Sequence, residues 1–342
     1  MLFSINNYRA FSILLIVLSH CYWISGWQAD SSLDIFVKHY ISGGTFFFLF
    51  ISGYLFGCVW LDKFNYLRFL KLKLVNIGSP YIAISLPVII LAIITKQPYG
   101  EYFFDNNTGL WSEVVKPFFM YLLYGRVLTG YWYIPFIFLV FLISPLLIRF
   151  CRTETKTQTI CLLILYSISL FVWRAEDNMN PIQALFYFIP VFLLGCYCQI
   201  HASWISVHQG ALIKICFFFS IIFMVIQVYF LDVPGNLHKP MFSYQGANIN
   251  SIERSFLAVL MFLVLERYMN YRVAILDYIA KASFSIYLLH PLIIAIYKRA
   301  VGLEYDSFLY FLSLTTLVFC CCWAVALTGK KLIGRHSRYV LG

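Results

Sequence analysis

Apolar side chains along this chain fall in long unbroken runs rather than short alternating stretches. Ten runs stand out, at roughly 9–27, 40–60, 76–95, 130–149, 158–173, 184–200, 211–231, 253–268, 283–298 and 307–328. Each approaches the about 20 residues a helix needs to cross the bilayer hydrocarbon, and none shows the period of two of a barrel strand of about 10 residues. The pattern predicts an all-α, polytopic integral membrane protein with about ten transmembrane helices. No hydrophilic stretch of about 100 residues is left over for a soluble domain. Residues 1–342 therefore read as a single membrane domain with no soluble C-terminal domain.

Two longer segments between runs break the pattern. Segment 96–129 mixes "KQPYGEYFFDNNTG" with the aromatic, charged "LWSEVVKPFFMYLLYG", which suits a re-entrant or interfacial helix. Segment 232–252 is rich in turn formers. Both are placed to shape an external substrate mouth. The first apolar run is longer than a secretory h-region and no small-residue cleavage pattern follows it, so it reads as an uncleaved first span. No internal repeat is evident, which disfavours inverted-repeat transporter architectures.

Composition agrees with the pattern: 61% hydrophobic and 12% charged residues over 342 positions are incompatible with a water-soluble globule. The net charge of +10 would suggest a nucleic-acid partner in a soluble protein; here its distribution across the membrane matters instead. With the N-terminus inside, 16 of the 25 Lys and Arg and only four of the 15 acids (Asp62, Glu154, Glu266, Asp277) fall on the inner side. That bias predicts both termini in the cytoplasm. Nine of the ten cysteines lie within or at the ends of spans, so the outer segments offer no disulfide framework, and no Cys/His spacing suggests zinc or another metal.

Ionisable residues inside spans are costly, about 2.5–3.5 kcal/mol for Arg, Lys or Asp at the centre on insertion scales, so each asks for a reason. In "YRAFSILLIVLSH", Arg9 and His20 are eleven residues apart. On a helix that is three turns plus about 20°, with an axial separation of about 16 Å, so both side chains project from nearly one face. Arginine at the mouth suits an anion, and histidine at depth suits proton transfer with a hydroxyl. A snorkelling arginine and a core histidine bonded to a neighbouring carbonyl is the alternative. In "KASFSIYLLHPLI", residues 281–293, Ser283, Tyr287 and His290 share a helix face, and Pro291 leaves the Tyr287 carbonyl without its helical donor, which predicts a kink beside a polar lining. Interhelical hydrogen bonding is the competing reading of these polar side chains. Ser52, Gly53 and Gly57 in "FFFLFISGYLFG" predict close helix packing, and the triplet Cys320–Cys321–Cys322 reads as small apolar packing. Arg68, Lys71 and Lys73 form a basic run at the predicted inner edge of the third span, and the aromatics of "GYWYIP" at 130–135 suit interface anchors.

Taken together, "YRAFSILLIVLSH", "FFFLFISGYLFG", "GYWYIPFIFLVFLISPLL" and "ASFSIYLLHPLI" resemble, in order, landmark segments of the integral-membrane acyltransferase family 3, the bacterial glycan O-acyltransferases. The resemblance spans nearly the whole chain. It implies a multi-pass protein of the bacterial cytoplasmic (inner) membrane that moves an acyl group, most often acetyl, from cytoplasmic acyl-CoA to a hydroxyl of a cell-surface polysaccharide or its lipid-linked precursor. Acetyl-CoA would then be a donor substrate rather than a bound cofactor. The implied partners are acyl-CoA, a glycan acceptor and membrane lipid, with polysaccharide-assembly proteins as a further class and no nucleic acid. Arg9 and His20 would be the catalytic pair, Arg9 near the donor and His20 as general base or acyl carrier. Ser283, Tyr287, His290 and Trp132 are the substrate-binding candidates, and Arg68, Lys71 and Lys73 the donor-binding ones. Two features depart from the family pattern. The Arg-x-x-Arg pair at the start of the third helix has Lys73 and Asn76 in the nearest register, and no acid precedes the Phe-rich run in "ISGGTFFF". A transporter or flippase for a glycan or anion, using His20 and His290 as relay groups, is the alternative function.

Overall fold

The computed structural model describes residues 3–97, 100–104, 108–231 and 235–342. Parts of both long inter-run segments, 98–99, 105–107 and 232–234, therefore lie outside the described residues. The described residues are all-α apart from one small parallel ribbon. Its helices are α1 (Phe3–Ser25), α2 (Ser32–Ile41), α3 (Gly44–Trp60), α4 (Tyr66–Lys73), α5 (Ser79–Thr95), α6 (Gly100–Phe103), α7 (Lys116–Tyr124), α8 (Tyr133–Leu142) and α9 (Ser144–Cys151). They continue with α10 (Thr155–Val172), α11 (Pro181–Ile200), α12 (Ala202–Val225), α13 (Asn250–Tyr268), α14 (Ala274–Ala300) and α15 (Phe308–Ile333). Strands β1 (Arg174–Ala175) and β2 (His238–Lys239) pair in parallel, Arg174 opposite His238.

Several spans extend beyond the apolar runs that announce them. The run at 40–60 belongs to α2 and α3, which turn at Ser42–Gly43. The run at 76–95 belongs to α4 and α5, joined by a π-helical turn, Leu74–Gly78. The run at 130–149 is broken: α8 and α9 meet at 61°, with Pro145 in the first turn of α9. Proline there costs α9 nothing, since its missing N–H would be an orphan at a helix start, but it stops α8 from continuing. α14 runs as one helix through Pro291, so the polar lining predicted beside that residue sits on an uninterrupted element.

Among the described residues eight helical segments are long and apolar enough to cross a membrane, nine with the bent α8–α9 pair as one span, against the ten read from the sequence. The remaining run, 253–268, forms α13, whose Glu253, Arg254, Glu266 and Arg267 take it out of the apolar class. The first turn of α13 meets α2, where Glu253 Oε2 lies 3.4 Å from His39 Nε2. Its last turns meet the start of α1, where Ser4 Oγ bonds the Glu266 carboxylate, so α13 runs antiparallel to α1. Glu253 and Arg254 are fully buried and paired at 3.1 Å, and the Arg254 guanidinium donates to the His39 carbonyl. Pairing of this kind is what makes buried charge tolerable.

Contacts between loops sort the helix ends into two groups. At the Arg9 end, Asn7 Nδ2 donates to the Met269 carbonyl (2.7 Å) and Arg152 to the Leu61 carbonyl (3.0 Å). At the opposite end the Tyr305 amide donates to the Ser25 carbonyl (2.8 Å), and Arg126 to the Asp177 carbonyl. The most intimate helix pair is α3 with α11. A Cβ on Gly53 would lie 1.8 Å from the Phe192 carbonyl oxygen, and one on Gly195 2.1 Å from that of Phe50. Lipid offers apolar side chains as good an environment as protein does, so backbone approach through small residues supplies the packing that hydrophobicity cannot. The packing role expected of Gly53 and Gly57 is what the structure shows; a Cβ at Gly57 would meet Gln199 Oε1 at 2.6 Å.

Candidate active site

Two cavities open from the two ends of the bundle. The one at the Arg9 end has a volume of about 550 Å³ and is lined by Arg9, Lys73, Asn76, Lys281 and Ser283 among apolar neighbours. The other, about 570 Å³, is lined by His20, Trp132, Tyr287, Lys38, Arg126 and Arg174 together with Glu176 and Asp177. Phe48, Tyr133 and Phe284 line both, so an aromatic collar separates the two chambers. Tyr287 thickens the collar, its ring stacked on Phe284 with centroids 6.2 Å apart and edge-on to Tyr133 at 5.8 Å.

Helix periodicity on α1 accounts for the division. Arg9 and His20 lie three turns apart on nearly one face, so the same stripe lines one chamber near the start of the helix and the other further along it. Arg9 is half-buried, and one guanidinium nitrogen donates to Ser283 Oγ at 3.1 Å. That hydroxyl in turn donates to the Ala280 carbonyl at 2.8 Å. Ser283 thus fixes one side of the guanidinium fork, and the donors that remain fit an oxyanion. Lys281 is engaged by Asp277 at 2.9 Å, and Asp277 also takes Arg272 at 3.2 Å. Lys73 lies over the Phe141 and Phe69 rings, 4.9 and 5.3 Å from their centroids.

His20 has a neighbour suited to set its proton. His290 is fully buried, its ring centroid 5.0 Å from that of His20 in an edge-on arrangement. Its Nδ1 lies 3.1 Å from the Ile286 carbonyl oxygen. A carbonyl can only accept, so Nδ1 carries the hydrogen and Nε2 presents a lone pair. That Nε2 has no hydrogen-bond partner of its own. On its other side His20 faces Gly130, where the backbone adopts φ +89° and a Cβ would lie 3.3 Å from His20 Nε2. Two tyrosines brace this loop against α14: Tyr287 Oη donates to the Gly130 carbonyl and Tyr131 Oη to the Leu288 carbonyl.

The residues singled out in the sequence distribute as follows. Arg9, Lys73 and Ser283 share the first chamber; His20, Tyr287 and Trp132 line the second; His290 stands behind His20, outside both linings. Arg68 and Lys71 are exposed on α4 and do not line the chamber that holds Lys73. The helix turns them away, and Asn76, in the π-helical turn, takes the place beside Lys73. Trp132 is buried under Arg174, whose guanidinium carbon sits 4.7 Å above its ring.

Sequence reading missed Arg174, Lys38, Gly130 and the collar. Arg174 had a signal: it is a cation beside the acids of "WRAEDN", on the side predicted to be poor in cations. The ribbon that holds it had none, because two-residue strands far apart in sequence leave no periodicity. Among the described residues no group of three or more His, Cys, Asp or Glu is arranged to hold a metal ion, and every cysteine is a free thiol.

No curated protein and no solved structure matches the chain. A family model described as an acyltransferase domain matches residues 2–327. Nearly the whole chain is covered, Arg9, His20 and the collar included, and the chain belongs to the acyltransferase 3 family: it is a multi-pass membrane acyltransferase.

Proposed function

We propose that this protein is an O-acyltransferase that takes an acyl group, most often acetyl, from acyl-CoA at the Arg9 chamber and delivers it to a glycan hydroxyl at the His20 chamber. The observation that carries the reading is the pair of chambers meeting at Phe48, Tyr133 and Phe284, with an anion-binding guanidinium on one side and a histidine pair on the other. Arg9 and Lys73 suit the phosphates of the donor. The excess of cations at the Arg9 end supports placing that end, and both termini, in the cytoplasm of a bacterial inner membrane, where acyl-CoA is made.

In this reading the acyl thioester reaches through the collar while the acceptor enters the opposite chamber. The acceptor oxygen attacks the thioester carbonyl carbon, the new C–O bond forms, the C–S bond breaks, and CoA leaves as thiolate. His20 takes the hydroxyl proton. His290, edge-on to His20 with its Nε2 lone pair unpartnered, is the neighbour that would bias His20 toward the tautomer leaving a basic nitrogen for the chamber, the role an orienting group plays in other acyl-transfer sites. A lipid-linked precursor or a growing polysaccharide meets the need for an acceptor at that side of the bilayer.

The test uses purified protein in lipid nanodiscs with acetyl-CoA radiolabelled in the acetyl group and an extract of surface glycan. Covalent label in the glycan, with a mass gain of one acetyl group per site, supports the reading. Unmodified glycan, or uptake of an anion into vesicles without covalent change, overturns it in favour of transport.

A further inference from the structure

The second chamber holds a charge that the transfer chemistry does not use. Arg174 is 9% exposed, and its Nε donates to Asn178 Oδ1 at 2.6 Å. Trp132 lies beneath the guanidinium at 4.7 Å, with Phe188 at 5.9 Å. Among the described residues no carboxylate pairs with it. Burial draws its pKa down to about 10, which leaves it charged at neutral pH. Buried guanidinium groups are ordinarily neutralised by a carboxylate within the protein, as Glu253 neutralises Arg254 at the same end of this bundle. Aromatic faces and one amide oxygen stabilise the plane of Arg174 but supply no counter-charge, and its terminal nitrogens keep the fork that binds a planar oxyanion.

The surroundings fix the site rather than leave it loose. Arg174 opens β1, and the pairing with β2 sets His238 opposite it, with His238 Nδ1 bonded to the Ala175 carbonyl at 2.8 Å. The Asn178 that orients Nε sits at φ +55°, next to Asp177 at φ +49°. Lys38 and Arg126 add two further cations to the lining, Arg126 bonded to the Asp177 carbonyl, against the two acids Glu176 and Asp177. The lining therefore sets three basic side chains, Arg174 included, against two acidic ones.

We propose that Arg174 is the centre of an acceptor subsite for an anionic substituent, a carboxylate or phosphate oxyanion, so that the glycan acylated here is acidic. This rests on the transferase reading for the word acceptor, but the binding itself does not require turnover. Carboxylate from an acidic sugar and phosphate from a polyol-phosphate or lipid-linked chain share the recognition chemistry, and the test separates them.

Three probes are titrated against the His20→Ala protein in nanodiscs without acyl donor: a uronic-acid tetrasaccharide, its carboxyl-reduced counterpart, and a glycerol-phosphate oligomer. One acidic probe is expected to bind at least about tenfold more tightly than the neutral one, with the preference shrinking several-fold at about 0.5 M salt. Arg174→Gln should abolish the preference, and Arg174→Lys should keep part of it, with thermal melting followed for both. Should Arg174→Gln fail to fold, the salt dependence of the parent protein and the Arg174→Lys titration still decide the matter. The acidic probe that wins identifies the oxyanion. Equal or absent binding of all three probes, or an undiminished preference in folded Arg174→Gln, overturns the proposal. Failure of the transferase reading would show instead as missing covalent label from acetyl-CoA.

Discussion

Gly130 carries two constraints at once: its backbone is left-handed at φ +89°, and the space where a Cβ would go is 3.3 Å from His20 Nε2. Gly130→Ala is therefore expected to strain the loop and crowd the imidazole. Acyl transfer should fall by at least about tenfold while the protein still inserts and runs as a single species by size exclusion. Unchanged turnover would show that His20 does not act from this position. Tyr287→Phe removes the hydrogen bond to the Gly130 carbonyl, a loss of about 1 kcal/mol, and should reduce transfer roughly fivefold with little change in the melting temperature. At this scale the sequence was informative where a side chain had to be explained against an apolar background: Arg9, His20, Ser283, Tyr287 and His290 stand out because ionisable and polar groups in a span are costly. It was uninformative for Gly130, Phe48 and Phe284, which look like any glycine or phenylalanine of a membrane protein until a neighbour from another helix is placed against them.

Helix by helix, apolar runs located most spans, but not their ends or their breaks. α13 fails the apolar test because it carries Glu253, Arg254, Glu266 and Arg267; beyond the Glu253–Arg254 pair within the helix, the groups that meet its carboxylates are His39 from α2 and Ser4 from α1, which no local window contains. The α3–α11 contact was half legible: Gly53 and Gly57 announced a close approach, while the partner glycine, Gly195, gave no sign of which helix it faced. Gly53→Val is expected to prevent the approach, since even a Cβ would lie 1.8 Å from the Phe192 carbonyl oxygen. The protein should melt in detergent at least about 10 °C lower or fail to accumulate, as expected for a loss of more than about 3 kcal/mol. A melting temperature equal to that of the parent would mean that the two backbones do not touch. The β1–β2 ribbon offers a pH test. Burial, and then the Arg174 charge, push the His238 pKa down to about 4. The folded state thus prefers neutral His238, whereas the unfolded chain takes up a proton near pH 6.5. Stability should be full above about pH 6.5 and decline as the pH falls toward 4, and His238→Asn should flatten that decline in melts recorded across the range.

Over the whole molecule, the fold divides one helical stripe between two chambers and closes the boundary with aromatic rings. Alternation of spans and the charge bias were readable without coordinates, and so was the spacing that separates Arg9 from His20 by half a bilayer. That these residues face two cavities sharing a wall depends on α3, α8 and α14 arriving together, and sequence spacing within one helix carries no information about that. The account claims that an acyl group crosses this collar. The direct measurement is vectorial transfer in sealed vesicles, with radiolabelled acetyl-CoA supplied only on the Arg9 side and the glycan acceptor only on the other. The account predicts covalent label on the acceptor, reduced at least about a hundredfold by His20→Ala and by Arg9→Ala in protein that still inserts. Label that reaches the acceptor only when donor and glycan share one side, or that persists undiminished in both variants, would contradict it.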